Sequence, residues 1–211
     1  MTIKAVRIKK NISLAPENER EVKIMIIILA LFSAGMIIGA GIMKNYTASE
    51  DLAVTFKNIF SVFTQNRAEN SAVKIFFNSL SINIIFIAIL FFSGLNLLGI
   101  PIVISIPIIR GFGYGMLSGY LINTYKMNGL GYYLLTIFPG SVVAVVALLL
   151  SCVTAIIMSS DILSVVFNKK QSDKTITVSY LKHYLFYFVS CIVASSIDTI
   201  LVKIFSYLFE F

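Results

Sequence analysis

Two charges stand inside apolar runs. Arg110 is the one charged residue between Ile100 and Lys126, in "IPIVISIPIIRGFGYGMLSGYLINTY", and Asp198 lies near the far end of the apolar run that begins at Tyr184. A charged side chain at the centre of a bilayer costs about 3 kcal/mol on insertion scales, so it turns toward protein or water and takes a partner. Three chemistries fit such residues: an ion pair that fixes packing, a polar path for a solute, or a contact with another protein. Counted along their helices, Arg110 is about 15 Å and Asp198 about 21 Å from the same membrane face. An extended arginine bridges that difference, so an Arg110–Asp198 pair is expected. The competing readings place Asp198 in hydrated contact with the outer interface. They also let Arg110 cap a helix interrupted by Pro101 and Pro107, with glycines following at once.

No other constellation suggests chemistry. His183, the single histidine, stands at the edge of an apolar run, and no phosphate-cradling loop, metal-ligand spacing or nucleophile triad is present. Cys152 and Cys191 both fall in apolar runs and read as buried thiols. The expectation is a protein that is not an enzyme and needs no cofactor.

The elements that position these residues follow from composition. The chain has 211 residues, 58% hydrophobic and 13% charged, with mean hydropathy +0.90. Soluble domains are nearer 45–50% apolar and about 25% charged, so one all-α, polytopic membrane domain is expected over residues 1–211. The net charge of +7 is spread along the flanks of apolar runs, which suits anionic lipid at a bilayer surface rather than nucleic acid.

Five spans are expected, at about 24–43, 75–95, 100–122, 141–160 and 184–202, each near one hydrocarbon thickness at 1.5 Å per residue. Gly94, Asn96, Gly99 and Pro101 mark the turn between the second and third. Pro139-Gly140 divides the next uncharged run, and "GLGYYLLTIF" before it, too short to cross, reads as re-entrant or interfacial. Residues 1–23 form a tail. Between Lys44 and Lys74, Leu52, Phe56, Phe60 and Phe63 recur at helical spacing, an amphipathic helix for the membrane surface, a partner or the protein's own spans. Gly35 and Gly39, and Gly111, Gly115 and Gly119, recur every four residues on one helix face and predict close approach of another helix, in this chain or in a second copy. Gly113 lies on nearly the opposite face.

The tail and the 161–183 segment hold ten basic residues, against six in the flanks on the other side. That places the amino terminus and 161–183 in the cytoplasm, and 44–74 and the carboxyl terminus outside.

The stretch "LLGIPIVISIPIIRGFGYGMLSGYLINTYKMNGLGYYLLTIFPGSVVAVVALLLSCVTAIIMS" resembles the stage II sporulation protein M family of bacterial membrane proteins. The likeness lies in the succession of a Gly-Ile-Pro turn, an apolar run ending in a basic residue and Gly-Phe, glycines every four residues, a short turn, and a segment ending in proline. "GMIIGAGIMKN" and "SSIDTIL", with an acid near Asp198, extend it over nearly the whole chain. After the proline, where the family shows polar residues, this chain reads Gly140-Ser141 followed by valine and alanine, so a role resting on those groups does not carry over. The resemblance implies a non-enzymatic scaffold that anchors membrane-bound peptidoglycan hydrolases at the septum during engulfment. The competing class is transport, as a small permease or the membrane subunit of an ABC-type exporter.

Overall fold

Where water is absent, an uninterrupted apolar run can satisfy its peptide groups only along its own helical ladder. Every regular element among the described residues is accordingly helical. The computed structural model describes residues 14–45, 70–96, 98–168 and 174–205. Helix α1 runs Leu14–Asn45, α2 Ala72–Gly94 and α3 Ile100–Tyr132. A π-helical turn, Tyr133–Ile137, leads into α4, Phe138–Asn168, and α5 runs Lys174–Phe205. Four stretches are long and apolar enough to cross a membrane: Glu19–Lys44, Ala72–Gly94, Ile100–Val166 and Thr177–Phe205. Their outer faces expose large apolar side chains such as Ile26 and Ile37 of α1, Phe92 of α2 and Leu185 of α5, a surface suited to lipid rather than water. The chain is a multi-pass membrane protein.

Several hydroxyls inside these helices are satisfied locally. Ser33, Thr154, Ser160, Ser190, Ser196 and Thr199 each donate to the carbonyl four residues back, which lets polar residues sit in apolar spans at little cost.

The glycine repeats interlock α1 and α3, which run parallel. A methyl group on Gly35 would run into the carbonyl of Ile108, and one on Gly39 into that of Phe112. Reciprocally, Gly111 faces the carbonyl of Phe32 and Gly115 that of Met36, while Gly119 lies against Ala40 and the side chain of Met43. Asn123 closes the far end by donating to the Met43 carbonyl at 2.6 Å. Only glycine lets two backbones approach this closely.

The main core gathers Ile28 and Phe32 of α1, Leu90 of α2, Val103 and Ile106 of α3, and Leu148, Cys152, Tyr184 and Cys191 of α4 and α5. At one end of the bundle, Gly94 lies against Ala155 and Tyr180, and Ser159 donates to the Asn96 carbonyl. At the other, Gly140 of α4 meets Asp198 of α5. The helices α4 and α5 are thus antiparallel.

Several expectations need correction. The turn marked by Gly94, Asn96, Gly99 and Pro101 does separate α2 from α3, but the breaks assigned to Pro107, Pro139 and Gly140 are not breaks. Pro101 occupies the first turn of α3, where no N–H is needed, and Pro107 is buried within a continuous helix. Ahead of Pro139, the wider π turn takes up the clash a proline ring makes with the carbonyl four residues back. The helix therefore passes through Pro139-Gly140, and Gly140 serves close approach instead. The actual interruption is Lys126, with φ 50° and ψ −121°.

Beyond Lys126 the chain doubles back. Gly129 lies against Leu121 and Tyr125, and Tyr132, Tyr133 and Ile137 pack on Leu117, Tyr120 and Met43. The expected separate short helix is part of a helical path continuous with α4. The 161–183 segment is not a loop throughout, since α4 extends to Asn168 and α5 begins at Lys174. Likewise α1 begins ten residues before Ile24. These ends continue because nothing in the sequence caps or stops them where the apolar pattern fades. The amphipathic segment with Leu52, Phe56, Phe60 and Phe63 lies outside the described residues.

Candidate functional site

Arg110 sits one residue before the glycine face of α3, so the α1–α3 lock fixes the direction of its side chain. Its Nη2 donates to Asn83 Oδ1 of α2 at 2.7 Å and to Tyr114 Oη, one turn along α3, at 2.9 Å. The guanidinium also lies over the rings of Tyr114 and Phe86, 4.8 and 5.1 Å from their centroids, where the negative ring face attracts a cation. Asn83 in turn offers its Nδ2 to Ser195 of α5 at 3.5 Å. A polar chain thus joins Tyr114, Arg110, Asn83 and Ser195 across three helices. The guanidinium is held by neutral acceptors and π faces, and both N–H groups of Nη2 are used by them.

Asp198, one helical turn beyond Ser195, is buried and borders the same cavity as Arg110. The tertiary structure therefore brings the two intramembrane charges to one site, with Asn83 as the hydrogen-bonded neighbour of Arg110. Gly140 permits this arrangement, because its missing side chain leaves room for the Asp198 backbone and Cβ.

The cavity has a volume of about 1010 Å³. Helix α2 contributes Lys74, Asn78, Ser81 and Asn83 to its wall, α3 contributes Arg110, Gly113 and Tyr114, and α4 contributes Gly140 and Ser141. Asn78 and Asn83, five apart in sequence, do not form one helical stripe, yet both reach this space because it wraps around α2. Gly113 faces it openly: a methyl group there would meet nothing within 4 Å. The two glycine faces of α3 therefore differ in use, one sealed on α1 and one open.

A second polar group was missed at the sequence level. Tyr180, Tyr184 and Tyr187 line one face of α5. Tyr180 Oη donates to the Phe91 carbonyl at 2.8 Å, Tyr184 Oη to the Ser151 carbonyl at 3.1 Å, and Tyr187 Oη pairs with Thr154 Oγ1 at 2.8 Å. Their spacing of four and three residues was the available signal. This stripe joins α5 to α2 and α4 and leaves its hydroxyls engaged, so it reads as a fastening. His183, on the same helix, is exposed and contacts the Ser179 carbonyl. Cys152 and Cys191 are buried and free. Among the described residues no group of His, Cys, Asp or Glu could hold a metal ion.

Comparison with known families places the chain. The family model of stage II sporulation protein M matches residues 28–201. The chain belongs to the stage II sporulation protein M family. The match includes Arg110, Asp198 and all of the interlocking glycines, so this member's polar site lies within the family's shared region. No curated protein and no solved structure matches the chain.

Proposed function

We propose that this member of the stage II sporulation protein M family is a non-enzymatic membrane scaffold that anchors peptidoglycan hydrolases during engulfment. The observation that carries the reading is the family match over residues 28–201. The interlocked α1–α3 pair and the tyrosine stripe support it, because they fasten the helices into a rigid frame suited to presenting a docking surface. In this reading the 44–74 segment meets the partners outside the membrane, and the hydrolytic chemistry belongs to them. The test is affinity capture of the full chain from sporulating cells. Recovery of membrane-anchored peptidoglycan hydrolases is expected; their absence, with an ATPase recovered instead, overturns the scaffold.

The transport reading draws on one specific observation, the cavity bordered by Arg110 and Asp198. Buried charges beside a cavity are a common feature of solute paths. An ATPase encoded beside this chain would favour it, and a neighbouring sporulation locus the scaffold.

The scaffold is proposed to cross the bilayer five times, with the amino terminus in the cytoplasm. The doubling back at Lys126 supports two crossings within Ile100–Val166, since 67 residues of helix extend about 100 Å, three times the hydrocarbon core. Cysteines placed singly at Lys44 and Lys126 should react with an impermeant thiol reagent from outside the cell, and one at Asn96 should not. Protection of both lysine positions would refute this topology.

A further inference from the structure

Polar residues that face hydrocarbon carry a large cost, so the wall of the Arg110 cavity needs a polar occupant. On α2, Lys74, Asn78 and Ser81 succeed one another at spacings of four and three and are all exposed toward this space. Asn83 continues the track, which descends about 14 Å from Lys74 to the level of Arg110. Arg110 closes the deep end. Of the five N–H groups of a guanidinium, two are used by Asn83 and Tyr114. Among the described residues no protein acceptor is recorded for the other three.

Among the described residues, the charges facing the cavity are Lys74 and Arg110 on one side and Asp198 on the other. They sum to a single positive charge, with the acid beyond Asn83 and Ser195. That pattern matches an anionic centre carrying a hydrogen-bonding tail, the anion against Arg110 and the tail against Asp198. Planar, forked guanidinium donors suit phosphate oxygens in particular.

The shape of the opening selects the source of the anion. Phe77, Ile82 and Ile109 also line the cavity and are 59%, 39% and 57% exposed. Ile82 and Ile109 come from α2 and α3, the two helices that Arg110 bridges, so the cavity has an apolar lip on either side of its gap. A soluble anion would have no use for such a lip. An amphiphile would keep its acyl chains on it while its headgroup entered.

We propose that the Arg110 cavity binds the phosphodiester headgroup of a phospholipid, entering between α2 and α3. Arg110 and Lys74 take the phosphate, and Asp198 accepts a hydrogen bond from the hydroxyl or amine of the headgroup alcohol. This inference rests on the membrane-embedded helices and not on the identity of any protein partner. Failure to capture hydrolases would leave it standing, and its own failure would leave the scaffold standing.

The test uses the full chain purified in an uncharged detergent. Thermal unfolding is followed through reaction of the buried Cys152 and Cys191 with a thiol-reactive dye. Dihexanoylphosphatidylglycerol should raise the midpoint saturably, as a ligand of the folded state must. Inorganic phosphate and dihexanoylglycerol at equal concentration should not. Gly113→Leu adds bulk where a Cβ meets nothing within 4 Å, so it should fold and lose the lipid response. Lys74→Gln, at the exposed mouth, should weaken the apparent Kd about fivefold. Three results overturn the proposal: an equal shift with phosphate alone, which marks a free-anion site; a full lipid response in Gly113→Leu, which places the lipid elsewhere; or no saturable shift in the parent.

Discussion

Arg110 and Asn83 are joined by a 2.7 Å hydrogen bond that ties α3 to α2 in the interior of the bundle. The acceptor is a neutral amide, and among the described residues the cation's hydrogen bonds go to this amide and to Tyr114, while the amide's other end reaches Ser195. Removing the amide leaves a charge with fewer partners in a weakly solvating place. Asn83→Leu should cost about 2–3 kcal/mol, the range for hydrogen bonds to charged groups, read as a lower thermal midpoint in detergent. A change below about 0.5 kcal/mol would show that the bond is dispensable.

Arg110 and Asp198 share a cavity, and their interaction is measurable without assuming contact. Arg110→Gln and Asp198→Asn should each destabilise the protein. The double variant should depart from the sum of the two by more than about 0.5 kcal/mol, the limit for independent sites. Additive behaviour would mean that the two charges do not sense each other. The exchanged pair, Arg110→Asp with Asp198→Arg, should recover part of the loss.

The two faces of α3 should respond oppositely to the same substitution. Gly111→Ala and Gly115→Ala push a methyl group into the carbonyls of Phe32 and Met36, and each should cost about 1–3 kcal/mol as the helices are forced apart. Gly113→Ala meets open space and should be neutral or stabilising by up to about 1 kcal/mol, the helix-propensity gain. Equal effects at positions 111 and 113 would contradict the interlocked arrangement.

Lys126 carries the backbone conformation of a glycine, with φ 50° and ψ −121°. Such conformations cost a residue with a side chain about 1–3 kcal/mol, while glycine adds about 0.5–1 kcal/mol of unfolded-state entropy. Lys126→Gly should therefore stabilise the protein by about 1 kcal/mol, and Lys126→Val should destabilise it. A lower midpoint for the glycine variant would indicate that the lysine side chain itself supports the turn.

These relationships were visible in the sequence to different degrees. Membrane character, the all-helical backbone and the close-packing faces were legible, because each depends on residues near one another in the chain. The glycines at positions 35, 39, 111, 115 and 119 announced a contact through their four-residue spacing, although not which helix would meet which. Proline misled at positions 107 and 139. Its local cost is fixed, but buried packing and a π turn absorb it, and those belong to the surroundings. A turn after the third span was expected, but nothing marked Lys126 itself as the residue that carries it, since lysine is an ordinary helix former and the strain at that position is imposed by the segments it connects.

The sequence by itself determined that this chain lives in a bilayer, that its backbone must be helical there, and that Arg110 would need partners. Those conclusions follow from transfer costs that each residue carries wherever it stands. Only the tertiary structure decided that the partners are Asn83 and Tyr114, that Asp198 borders the same space, and that Gly113 opens onto it while Gly111 is sealed. Such choices depend on how parallel and antiparallel helices register against one another. That register is set by close backbone approach over distances the linear pattern does not encode.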